Sequence, residues 1–150
     1  MRELVIDLDA VVHNFKLMQS RASAHVLPVI KANAYGHGMI EVAEALEAAG
    51  CTGFGVADIT EALTLRKAGV TAALLDWLHD PQDDFVEAVR HDVDLGIANL
   101  EQLARAQKAA AVSGEIAHLH LKIDTGLGRN GATEADWLEL IEATKLAVAA

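Results

Sequence analysis

The chain has 150 residues, 52% of them hydrophobic and 23% charged, with 12 basic against 22 acidic side chains for a net charge of −10. A composition this apolar specifies a globular chain with a sizeable buried core and excludes wholesale disorder. Its negative charge, offset by no run of lysine or arginine, sets it against phosphate backbones and anionic lipid, so neither a nucleic-acid nor a membrane partner is expected.

From the N-terminus, Met1 to Asp7 carries Glu3 and Asp7 where a secretory signal would carry its apolar region. No stretch approaches the roughly 18 apolar residues of a membrane helix. Cys51 is the single cysteine, which cannot pair within its own chain and fits a reducing compartment; a buried position and a cytoplasmic protein are expected. Two prolines and no Ser/Gly-rich tract leave no place for a flexible linker, so residues 1–150 read as one unit.

Val11, Phe15, Met18 and Ala22 share one face of a helix expected to start after Asp9. Short apolar runs then begin near His25, Gly53, Ala72, Val93 and Ile116, each followed by a stretch of helical periodicity. Helix starts are marked by Asp58 with Glu61, by Asn99 with Gln102 and, more weakly, by Thr133 with Asp136. Val42, Ala45, Leu46 and Ala49 form another stripe, closed by Gly50 at the helix end. This βα alternation implies parallel strands with right-handed crossovers, in either a doubly wound sheet or a (β/α)8 barrel. A full barrel takes about 250 residues, so on that reading the chain covers roughly the first five of eight βα units.

Two segments carry candidate chemistry. The first, Val29 to Gly38, places Lys31 at the end of an apolar run and before a polar turn, where parallel α/β folds bind ligands. A lysine whose ammonium form is disfavoured by apolar surroundings suits carbonyl chemistry; one that merely reaches solvent does not. In the second, His118 to Gly131, Ala117, Leu119, Leu121 and Ile123 alternate with His118, His120, Lys122 and Asp124. The polar face must line something wet or ionic. Two alternating histidines lack further ligands at a recognisable spacing, so no metal is expected. Trp77 and Trp137 are expected to fill gaps between strand and helix layers, and His13, His79 and His91 to be surface or capping residues. His37, two residues after Tyr35, suits either the turn or a phosphate.

Val29 to Gly38 resembles the pyridoxal-phosphate attachment motif of alanine racemases, and Lys122 to Gly131 resembles their signature K-x-D-T-G-x-x-R-x-G. Phe54 to Ala57 with Glu61, Ala62, Leu65, Arg66 and Gly69 is similar to the family's second βα unit. The resemblance implies a PLP-dependent isomerase on a (β/α)8 TIM-type barrel, interconverting L- and D-alanine, the latter for peptidoglycan, as a homodimer. Lys31 would hold pyridoxal 5'-phosphate covalently and exchange a proton on one face of the substrate; Tyr35 would bind the cofactor phosphate. Arg129 would contact the cofactor and the substrate carboxylate, and Lys122 matches a lysine that is often carbamylated. The family's second base, its remaining cofactor contacts and its C-terminal β-domain fall outside these residues. An N-terminal fragment of the barrel domain, inactive alone, is therefore expected. A racemase for another amino acid, and a non-catalytic PLP-binding or half-barrel module, are the rival readings.

Overall fold

In the computed structural model, which describes residues 1–148, helix α1 (Leu8–Arg21) starts at Asp7, whose carboxylate accepts from the Ala10 N–H at 3.0 Å. The cap lies two residues before the Asp9 expected from sequence, because Asp7 keeps the extended backbone that lets its side chain reach back over the first turn. Leu8, Val11, Val12 and Phe15 consequently pack on the core, whereas Met18 is half exposed and Ala22 lies past the helix end.

The apolar run from His25 makes a single parallel bridge, Val29 to Gly55, rather than a strand. Pro28 has no N–H to give a ladder and only its carbonyl is used, accepting from Gly55 N at 2.9 Å. The following segment α2 (Lys31–Gly36) is a left-handed turn, and α3 (Met39–Ala48) is a regular helix. Val42 and Leu46 of the expected stripe are buried and Gly50, just beyond the end of α3, adopts φ +94. The remaining elements alternate strictly: β1 (Gly53–Val56), α4 (Ile59–Lys67), β2 (Ala73–Asp76), α5 (Phe85–Arg90), β3 (Val93–Ile97), α6 (Leu100–Ser113), β4 (Leu119–Leu121) and α7 (Glu134–Val148). Helix α7 runs to Val148; residues 149 and 150 lie outside the described residues.

The strands form one parallel sheet in the order β1-β2-β3-β4, with the Val29 bridge on the outer side of β1. A doubly wound sheet reverses its strand order at a switch point; this one does not. Sequential order with crossovers of one hand puts every helix on the same face, as in an arc of a barrel. Burial agrees: Phe54, Val56, Leu74, Val93, Leu95 and Ile97 face the helices and are buried, while Ala73, Leu75, Asp94 and His120 on the other face are exposed or half-buried. The five expected βα units are thus present, the first reduced to a bridge. Cys51 is buried and its Sγ donates to the Gly53 carbonyl.

Candidate functional site

Lys31, Trp77 and Lys122 each follow a bridged or paired segment at its C-terminal end, and so lie along one rim of the sheet. At Lys31 the chain leaves the bridge and enters a left-handed turn, with Ala32, Asn33, Ala34 and Tyr35 at φ 50 to 54 and ψ 39 to 48. Left-handed backbone costs a non-glycine residue about 1–2 kcal/mol, so a run of such residues persists only where its surroundings hold it. Ala34 N donates to Ile30 O at 2.8 Å, Gly38 N to Asn33 O at 3.2 Å, and the Asn33 side-chain carbonyl accepts from Met39 N at 2.8 Å. Ala32 N donates at 2.6 Å to the carboxylate of Glu61, in the first turn of α4. The Lys31 ammonium lies 5.8 Å from the centre of the Tyr35 ring, and Tyr35 is 72% exposed. His37 Nδ1 is used inside the turn, 2.7 Å from the Ala34 carbonyl.

At the other end of the rim, Trp77, Lys122, Leu127, Arg129 and Asn130 line an open cavity of about 340 Å³. Lys122 donates from Nζ to the Trp77 carbonyl and to Oδ1 of Asn130. Burial pushes its pKa down, opposed by the charge of Asp76. Arg129 is exposed and makes no hydrogen bond among the described residues, so its guanidinium is free to take a planar anion. Asp124 shapes the turn that presents it, accepting from Gly126 N at 2.9 Å and Gly128 N at 3.1 Å, bonds that hold its carboxyl below the usual range. Gly131 closes the turn with φ +121; a Cβ there would lie 2.6 Å from Asp124 N, so no other residue fits.

The expected alternation holds through Lys122, with His118 and His120 exposed on the open face. It fails at Ile123, which is 40% exposed, because the chain there bridges to Ala132 instead of continuing the sheet. The two histidines pair with carboxylates, His120 Nε2 with Asp94 of β3 at 2.9 Å and His118 Nε2 with Asp92, in the turn before β3, at 3.8 Å. Among the described residues no three His, Cys, Asp or Glu side chains come together as a metal site.

Two expectations need correction. Trp77 does not fill the layer between strands and helices: it lies on the open face over Gly55, where a Cβ would come within 2.2 Å of its ring. The alternation Ala73, Leu75, Trp77 carried that signal. His79 is not at the surface but 8% exposed, its Nδ1 2.9 Å from Oδ2 of the fully buried Asp76. Its ring meets Phe85 edge-on at 4.6 Å. The structure therefore groups Lys122 with Arg129 and Lys31 with Tyr35, the two pairs standing on one rim, and adds Trp77, Asn130 and Glu61.

A parallel βα arc with a lysine-headed turn and a cationic cavity at the C-terminal strand ends defines a barrel-type α/β protein whose candidate ligand site lies on that rim. Residues 6–148 match the family model described as alanine racemase, N-terminal domain, and the chain belongs to that family, an α/β barrel. It is 45% identical over 148 residues to an alanine racemase of Mycolicibacterium smegmatis and 47% identical over 148 residues to one of Mycobacterium ulcerans, covering 98% of this chain in each case. It spans 38% of the length of each of those relatives. Among solved structures, alanine racemase from D-cycloserine-producing Streptomyces lavendulae superposes with a TM-score of 0.92 at 42% identity, covering 96% of this chain and 38% of that one. The Clostridium difficile alanine racemase in complex with cycloserine superposes with a TM-score of 0.86 at 32% identity, covering 94% and 40% respectively.

Proposed function

We propose that this chain is the N-terminal part of the barrel domain of an alanine racemase, with pyridoxal 5'-phosphate as cofactor and L- and D-alanine as substrates. The observation that carries the reading is Lys31, a primary amine at the C-terminal end of the bridged segment, heading a left-handed turn that is hydrogen-bonded along its length. The donor set fits the cofactor: an amine for its carbonyl carbon, the exposed Tyr35 hydroxyl for its phosphate and the solvent-facing Arg129 guanidinium for anionic oxygen. When bound, PLP supplies the electron sink that makes an amino acid α-proton removable.

Lys31 holds the cofactor and moves the proton on one face of the α-carbon through Nζ. Arg129 orients the substrate carboxylate with its planar fork. Lys122 and Arg129 line the same cavity, and carbamylation would turn Lys122 from a cation into an anion able to attract that guanidinium. Burial, by lowering the Lys122 pKa, favours the neutral amine that such a modification needs. Proton exchange on the opposite face needs a second acid or base; none of the residues named here is assigned that role, and we infer that the 150-residue chain alone is inactive. Such an enzyme works in the cytoplasm. No helix among the described residues is long and apolar enough to cross a membrane.

The test is to add PLP, reduce with borohydride, and map the modified lysine by peptide mass spectrometry against a Lys31→Ala control. Label concentrated on Lys31 and lost in the control is expected. Label spread over several lysines would overturn the assignment of Lys31.

A further inference from the structure

The Glu61 carboxylate is engaged at both oxygens: Oε2 accepts from Ala57 N at 2.9 Å and Oε1 accepts from Ala32 N at 2.6 Å. Its own N–H is capped by Asp58 at 2.9 Å, so the first turn of α4 fixes where the carboxylate stands. A second helix shows what a cap alone requires. At the start of α6, Gln102 N is capped by Asn99 at 2.9 Å, and Gln102 Oε1 accepts from Ala98 N at 2.7 Å. There an amide with one acceptor oxygen suffices. The site on α4 differs in having two N–H groups to satisfy, one at the end of its own strand and one in the turn headed by Lys31. Among the described residues, Asn33 Oδ1 ties the left-handed turn to the adjoining α3 through Met39 N at 2.8 Å, and the bond from Ala32 ties it to α4, which is remote in sequence.

We propose that Glu61 is a positioning residue for Lys31: its carboxylate bridges the ends of two neighbouring segments and clamps the peptide immediately after Lys31, so holding the amine on the rim. This rests on Lys31 being the reactive lysine. Glu61 touches neither substrate nor cofactor; it acts through the backbone. An amide in its place keeps one acceptor for Ala57 and turns an NH2 towards the Ala32 N–H, a donor facing a donor.

The experiment compares Glu61→Gln with Gln102→Ala in the full chain. Two quantities are read: amide hydrogen exchange over residues 31–36, and the share of reductively trapped PLP carried by Lys31 among all lysines. Glu61→Gln is expected to speed exchange in the turn by about tenfold, the size of losing one hydrogen bond to a charged acceptor, and to lower the Lys31 share severalfold while the thermal midpoint changes little. Gln102→Ala, which removes only a cap, is expected to lower the midpoint and leave both readings unchanged. The proposal is overturned if Glu61→Gln leaves turn exchange and the Lys31 share at the parent values, or if Gln102→Ala shifts them equally. If the parent chain shows no preference for Lys31, the functional reading fails instead, and the exchange at Ala32 still decides whether the clamp exists.

Discussion

Asp76 is fully buried on the helix side of β2, beneath the rim. Burial pushes its carboxyl pKa up; hydrogen bonds from His79 and Leu78 and the His79 charge oppose that shift. A carboxyl raised in the folded state binds its proton more tightly there than in the unfolded chain. Its contribution to stability is therefore full below the ordinary value of 3.8 and is lost as pH rises through the folded value. Asp76→Asn removes the buried charge; its one oxygen can accept from Leu78 N while its NH2 faces His79 Nδ1, which accepts when the ring carries its proton on Nε2. Thermal unfolding should show the variant more stable at pH 7 by roughly 1–2 kcal/mol, with the gap closing on acidification towards the lower value. A variant less stable than the parent at pH 7 would mean that the charge is better paired than its burial suggests. The same change removes the charge that supports the Lys122 ammonium, so it should push Lys122 further down. None of this is legible in the sequence, where Asp76 lies inside the apolar run from Ala72 and its burial cannot be read.

At the scale of elements, caps were the most readable feature and the strand at the edge the least. Asp58, Asn99 and Thr133 signal their helices through a local hydrogen bond needing only three residues of chain, and each forms. The run from His25 to Ile30 has strand-like residues, yet whether it ladders depends on its partner and on the turn that follows, neither of which is local. Arg66 is similar: from α4 it donates to the carbonyls of Val70, Ala72, His91 and Asp92, joining the ends of α4 and α5 to the entries of β2 and β3. Arg66→Met keeps the aliphatic packing and leaves these carbonyls short of donors. A loss of about 2–3 kcal/mol in urea unfolding is expected, with the m-value unchanged; a loss under 0.5 kcal/mol would show that water replaces the guanidinium without cost.

At the scale of the whole molecule, the barrel could be told from a doubly wound sheet only by strand order, which periodicity does not encode: both architectures repeat the same βα unit. The chemical rim was more legible than the architecture, since Lys31 and Lys122 to Gly131 are continuous segments whose side chains stay near their neighbours in sequence. What sequence left out was the pairing across strands that brings Trp77 to Lys122 and Glu61 to Ala32. The same geometry gives a prediction for the chain by itself. Its sheet ends at the Val29 bridge on one side and at β4 on the other, and its inner face presents Leu27 and Val29 at 41% and 49% exposure with half-buried Leu75. Unpaired strand edges beside an apolar face recruit further strands, whether from the same polypeptide or another. The 150-residue chain should therefore associate with itself at micromolar concentration, seen by light scattering as a mass well above 15.9 kDa. Because the edge bonds are backbone bonds, a charge on the face should weaken association more than added salt does: Val29→Lys should return the chain towards the monomer mass. A monodisperse monomer for the parent chain would show instead that β4 and the bridge are capped well enough by the Lys122 to Gly131 turn and by α1 to leave no open edge.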